Sequence, residues 1–182
     1  GIKTGSLGGI AFHSGRGTFW GVDIVNDVYF EFDETGALTT ENDRPRYFFS
    51  PKRNPLTGGA YGNTITFATS GGQNYFDIPV GSLTDGQPTT VHRVYADDGD
   101  TPVPHKIGDD TGVFYTLAAL GSPKFVTGIA FWQDSCSEGQ HSEFILDMDE
   151  VGGAPRIMEL AADEPNAAAI ADADLTWTRA IS

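Results

Sequence analysis

Two runs in the last third of the chain constrain the fold most. Lys124 to Trp132 is apolar for most of its length, with Phe125, Val126, Ile129, Phe131 and Trp132. Ser142 to Val151 alternates: Phe144, Leu146 and Met148 fall on one side, and Glu143, Ile145, Asp147 and Asp149 on the other. Successive strand side chains point to opposite faces, so a period of two predicts a strand with one face on a core. The face of Phe144, Leu146 and Met148 is the one expected to be buried, against Ile129 or Phe131. The link from Gln133 to His141 is polar and holds Gly139, as a loop should. The two runs read as a long hairpin or an adjacent strand pair.

The same texture runs through the chain. Strands are expected from Ile10, over Phe19 to Val25 and Val28 to Asp33 with a turn at Asn26-Asp27, over Thr64 to Thr69, Asn74 to Val80, Thr89 to Ala96 and Gly112 to Ala119, then Arg156 to Leu160 and Asp174 to Ile181. Asp163-Glu164-Pro165 followed by alanines through about Ala171 predicts one short helix, with acids and a proline at its start. So many short strands in one chain of 182 residues predict a single all-β domain spanning 1–182, a two-sheet β-sandwich of jelly-roll type with one short helix near the C-terminus. Gly9-Ile10-Ala11-Phe12 recurs as Gly128-Ile129-Ala130-Phe131. Two related halves and chance similarity between strands both account for it.

Charge excludes some partners. The net charge is −14. A polyanion of this strength is a poor ligand for nucleic acid or an anionic membrane. No run approaches the roughly 18 apolar residues of a membrane span. The single Cys136 forms no internal disulfide, and Cys136 with His141 supplies too few ligands for zinc. The chain begins at Gly1 without Met, which fits removal of a leader and an extracellular or cell-surface destination, or excision from a longer chain.

The acids are also clustered. Asp147 and Asp149 are two apart on an expected strand, so they share a face, and Glu31 with Asp33 repeats the spacing. Asp97, Asp98 and Asp100 open a long polar loop that closes at Asp109 and Asp110. Carboxylates crowded together favour a hard cation between them, so calcium is the candidate cofactor, at the 97–110 loop and at Asp147/Asp149. No EF-hand spacing is present. The four histidines are scattered, Ser14 lacks a nucleophile-elbow context, and no glycine motif forms a phosphate loop, so no catalytic signature emerges.

The segments Asn74-Tyr75-Phe76-Asp77-Ile78-Pro79-Val80, Phe125-Val126-Thr127-Gly128-Ile129-Ala130-Phe131 and Phe144 through Val151 resemble strands of carbohydrate-binding modules of the galactose-binding-like β-sandwich type. The resemblance covers roughly residues 74–151. It implies a sandwich and a polysaccharide partner. Trp132, Trp20 and Tyr95 are the candidate sugar-stacking residues, because an aromatic ring offers a flat apolar face.

A different reading is a non-catalytic, exported structural subunit that assembles with itself. Arg44, Arg46, Lys52 and Arg53 form a basic island with no acid from Arg44 to Pro55, in an otherwise acidic chain. Opposite patches on successive copies would dock by charge. Residues 1–9 hold four glycines and need a partner to become ordered. Donation of residues 1–12 to a neighbour, docking Leu7, Ile10 and Phe12, is the specific form expected.

Overall fold

The computed structural model describes residues 7–51, 60–62, 64–82, 90–116, 126–133, 141–147, 156–161 and 175–180. Among them are fifteen strands and no helix. They are β1 (Leu7–His13), β2 (Thr18–Asp23), β3 (Val28–Phe32), β4 (Thr40–Glu41), β5 (Arg44–Pro45), β6 (Tyr47–Phe49), β7 (Ala60–Gly62), β8 (Thr66–Ser70), β9 (Gln73–Ser82), β10 (Thr90–Tyr95), β11 (Asp110–Thr116), β12 (Val126–Gln133), β13 (His141–Asp147), β14 (Arg156–Ala161) and β15 (Leu175–Ala180). The helix expected from Asp163 lies outside the described residues. No helix among the described residues is long and apolar enough to cross a membrane.

Most paired strands are consecutive in the chain, the exceptions being β3 with β6 and β7 with β9, and every pairing among the described residues is antiparallel. One sheet runs β1-β2-β3-β6, a second β11-β10-β9-β7 with β8 also on β9, and a third β12-β13-β14-β15; β4 and β5 make a separate ribbon. Turn chemistry sets these reversals. Gly71 and Gly72, at φ 57° and 75°, join Ser70 to Gln73. Asn42 and Asp43, at φ 50° and 62°, join Glu41 to Arg44. Two residues in the left-handed region make the hairpin turn whose twist matches the strands. Pro79 sits inside the long strand β9 at a tolerated place. β8 pairs with Gln73–Asp77 and β7 with Val80–Ser82, so Pro79 falls between the two partners on that edge.

The first two sheets pack face to face as a β-sandwich. Ala11, Trp20, Val22, Tyr29 and Phe48 come from one inner face, and Phe76, Ile78, Val80, Val94 and Ala96 from the other, with Ile65 just before β8. Trp20 lies 5.3 Å from both Phe48 and Phe76, and Tyr29 stacks on Phe48 at 5.0 Å. Burial holds the Tyr29 phenol well above its ordinary range. On the other face of the second sheet Arg93 and Asp77 are buried. There Arg93 donates to Asp77 at 2.7 and 2.6 Å, and its guanidinium lies 3.4 Å over Phe114.

The third sheet corrects the expected register of the hairpin. β12 and β13 pair, with Ile129 opposite Ile145 and Ala130 opposite Phe144. Ile145 is fully buried and Ile129 nearly so, whereas Phe144 and Leu146 are only partly buried. The face read as polar is therefore the one on the core, and Met148 lies outside the described residues. Docking explains the choice. The backbone N–H of Phe131 donates to Thr66 Oγ1 at 3.0 Å, fixing β12 beside β8. Ile145→Ala is expected to cost about 2–5 kcal/mol through lost burial and a cavity. Ile10→Ala, at a half-exposed position, should stay within about 0.5 kcal/mol of the parent. Chemical denaturation yielding equal costs would disprove the assigned faces.

Candidate functional site

Alternation along β1 places Ala11 and His13 inward and Ile10 and Phe12 outward. A register shift between Leu7 and Ile10 brings Leu7 to the outer side as well. Pairing then extends an apolar surface across the whole sheet. Phe12 packs on Phe19 and Phe19 on Phe32, with ring centroids 5.1 and 5.7 Å apart. Ile10 is in register with Gly21, Phe30 and Tyr47. Glycine at 21 matters here. A Cβ there would come 2.9 Å from Leu7 Cδ1 and 3.2 Å from Phe32 Cε1, so only its absence lets these side chains close over the strand. Leu7, Ile10, Phe12, Tyr47 and Phe49 remain 48–52% exposed. The acid in register with this face, Asp23, is buried and turned into its own strand end, accepting from the N–H groups of Val25 and Asn26.

β1 is thus ordered within its own chain, paired with β2 over Leu7–His13. The expected donation of residues 1–12 is not needed to explain its order. The closing strand β15 pairs with β14.

The residues of the basic island differ in their surroundings. Arg46 is spent within the chain. Its guanidinium reaches Glu41 at 3.1 Å, Asp98 at 3.3 Å and Glu31 at 3.9 Å. Arg44 is exposed in the β4–β5 ribbon, and Lys52 and Arg53 lie outside the described residues. Glu31 and Asp33 do not share a face. Glu31 is fully buried and accepts from Thr18 at 2.5 Å, Arg16 at 2.7 Å and Thr39 at 2.7 Å. Burial alone would raise its carboxyl, but the bonds from Thr18, Arg16 and Thr39 and the Arg16 charge outweigh it and hold the carboxyl below its ordinary value. Asp33 lies beyond the strand end and accepts from Thr35 and Ala37, which lowers its carboxyl as well.

The acidic loop separates into two groups. Asp97 accepts from His13 Nε2 at 3.1 Å and from Asn74 Nδ2 at 2.7 Å, and Asp110 accepts from His92 Nδ1 at 2.9 Å. Both histidines are buried, so these two acids serve the sandwich. Asp98, Asp100 and Asp109 instead line an open pocket of about 440 Å³ with Gly99, Pro104, His105 and Lys106. The loop is tied down around it. Gly99 and His105 exchange backbone hydrogen bonds of 3.1 and 2.8 Å, Gly108 donates to Tyr95 O at 2.8 Å, and the His105 ring stacks on Tyr95 at 3.7 Å. Among the described residues no three His, Cys, Asp or Glu side chains gather closely enough to hold a metal ion. Asp147 ends β13 opposite Val126 and Arg156, and Asp149 lies outside the described residues.

Of the candidate sugar-stacking residues, Trp20 is fully buried in the sandwich and presents no face to a ligand. Tyr95 is stacked on His105 and lies 5.5 Å from Tyr75. The Trp132 backbone is in β12, and its side chain lies outside the described residues. His13, His92 and His105 were not legible as site residues, because their partners lie 84, 18 and 2 positions away with no motif joining them.

Comparison of the chain with protein-family models, curated proteins and solved structures gives no match.

Proposed function

We propose that this chain is a non-catalytic structural β-sandwich subunit that associates with further copies of itself through the outer face of the sheet β1-β2-β3-β6. The carrying observation is the apolar surface of Leu7, Ile10, Phe12, Tyr47 and Phe49, each about half exposed. Side chains of this kind bury about 150–250 Å² when aromatic, so the five leave roughly 400–500 Å² of apolar surface. Patches of that size on soluble proteins are commonly functional. Interfaces are about 56–65% apolar, so this patch suffices for roughly 700–800 Å² per partner, the ordinary size of a specific interface.

A second copy is the occupant that fits best. At a net charge of −14, copies repel each other over most of their surface. No exposed charged side chain is in register with the described outer face, so two copies approach there at the lowest electrostatic cost. β1 is also the end strand of its sheet in the described pairing. An isologous contact would place two such edges side by side across a two-fold axis.

The test is sedimentation velocity over a concentration series. The parent chain is expected to associate, and Phe12→Asp and Phe49→Asp to remain monomeric with melting curves like the parent's. Association through an uncharged face between polyanions should strengthen as salt screens their repulsion. A parent that stays monomeric at every concentration, or variants that associate as it does, would remove the proposal. Association that weakens with salt would return the basic island, through Arg44, to the leading place.

A further inference from the structure

We infer that Gly21 decides the fit of the self-association face: with no Cβ it lets Leu7, Phe30 and Phe32 lie down over β2, and the level surface so made is covered by the same surface of a second copy, sheet stacked on sheet. This inference rests on the proposed self-association and adds the residue that shapes the contact.

Glycine is an unfavourable choice in the middle of a central strand, because it loses the most backbone freedom on folding and brings no side chain to pack. In such a place it answers either a positive φ or a close approach. Gly21 is not one of the described glycines at positive φ. Close approach remains, and here it is made by side chains. A Cβ at this position would lie 2.9 Å from Leu7 Cδ1, 3.2 Å from Phe32 Cε1 and 3.4 Å from Phe30 Cζ. All three nearest atoms belong to side chains of the outer face, so the glycine serves that surface and not the packing between the two sheets.

The surface it shapes is a layer of side chains lying against one another. Phe30 is in register with Gly21 and points outward, yet it is only 6% exposed. Its ring lies 5.8 Å from that of Phe32, which stacks on Phe19 at 5.7 Å. The middle of the face is thus closed. The half-exposed side chains stand at its two sides, on β1 and on β6. Sheet faces of this kind pack on one another at about 10 Å. A side chain raised at the centre would hold two such faces apart, and a gap of about 0.5–1 Å already forfeits a quarter to a half of each contact. Leu7 is the neighbour that yields, because its tip is flexible and half exposed. A Cβ at position 21 therefore drives Leu7 outward, toward the partner, with little loss to the fold.

The experiment is a double-mutant cycle on the full chain with Gly21→Ala, Leu7→Ala and the two together. Sedimentation velocity reads association and urea unfolding reads stability. Gly21→Ala is expected to weaken association about tenfold while its urea midpoint stays near the parent's. Leu7→Ala, which only removes an apolar contact, should weaken it less. The double variant should associate as Leu7→Ala does, because the side chain that the new Cβ displaces is gone. If Gly21→Ala does not fold, the double variant, relieved of the nearest clash, carries the same comparison: association equal to that of Leu7→Ala supports the inference, and weaker association overturns it. Failure of both to fold would make Gly21 a requirement of the sandwich itself and overturn it as well. Gly21→Ala associating like the parent, or losses that add in the double variant, would overturn the inference alone, provided that Phe12→Asp and Phe49→Asp still abolish association. A parent that is monomeric at every concentration would remove the self-association reading and this inference together.

Discussion

Replacing Glu31 by alanine is expected to remove about 3–5 kcal/mol of folding stability, because removing one member of a buried charged network leaves the others without compensation. Glu31 is fully buried at the centre of the first sheet, where Thr18, Thr39 and Arg16 donate to it. Arg46 adds charge at 3.9 Å and links the same carboxylate to Glu41 and Asp98. The loss should therefore reach beyond β3 to the ribbon β4–β5 and the 97–110 loop. The pH dependence has a definite sign. The folded carboxyl is held below its ordinary value, despite burial, by Thr18, Arg16 and Thr39. Its contribution is present above the unfolded value, about pH 4.3, and is lost as pH falls through the lower folded value. Urea unfolding of the parent and of Glu31→Gln should show a gap that is constant near neutrality and narrows below about pH 4.3. A gap that widens on acidification would contradict the assignment of an ionised, bonded carboxylate.

The strands were legible because short alternating runs and turn residues are local signals. The turn at Asn26-Asp27 is found with Asp27 at φ 53°, and β9 and β10 follow the runs that predicted them. What the residues did not disclose was which face meets which sheet. Gly9-Ile10-Ala11-Phe12 and Gly128-Ile129-Ala130-Phe131 make the point. In the first copy Ala11 is buried and Ile10 exposed, and in the second Ile129 is buried and Ala130 exposed. The same four letters occupy opposite phases, because a strand's face is set by what docks on it. Acidic residues misled for a related reason. Their spacing suggested shared faces, but Asp97, Asp110 and Glu31 each found a donor far away in sequence or on another strand. Long-range pairing leaves no periodic trace, so the separation of the loop acids into structural and pocket-lining sets emerged only from the fold.

Trp20→Ala is expected to cost about 3–5 kcal/mol, at the upper end for a core truncation. The indole is fully buried, 5.3 Å from Phe48 and from Phe76, so it joins the two sheets where their inner faces meet. Truncation removes contacts with both sheets and leaves a cavity that rigid strands refill poorly. Trp20→Phe should behave differently. Indole Nε1 is buried without a hydrogen-bond partner among the described residues. An unmet buried donor costs about 1–3 kcal/mol, and phenylalanine abolishes that cost while keeping a ring between Phe48 and Phe76. Its net effect should be less than half that of alanine. Denaturant unfolding of the parent and both variants, with tyrosine fluorescence and circular dichroism as probes, measures the difference. Equal losses for phenylalanine and alanine would mean that the Nε1 proton is satisfied and that shape alone decides the site. A negligible loss for alanine would remove Trp20 from the core and restore it as a surface ring able to stack on a sugar.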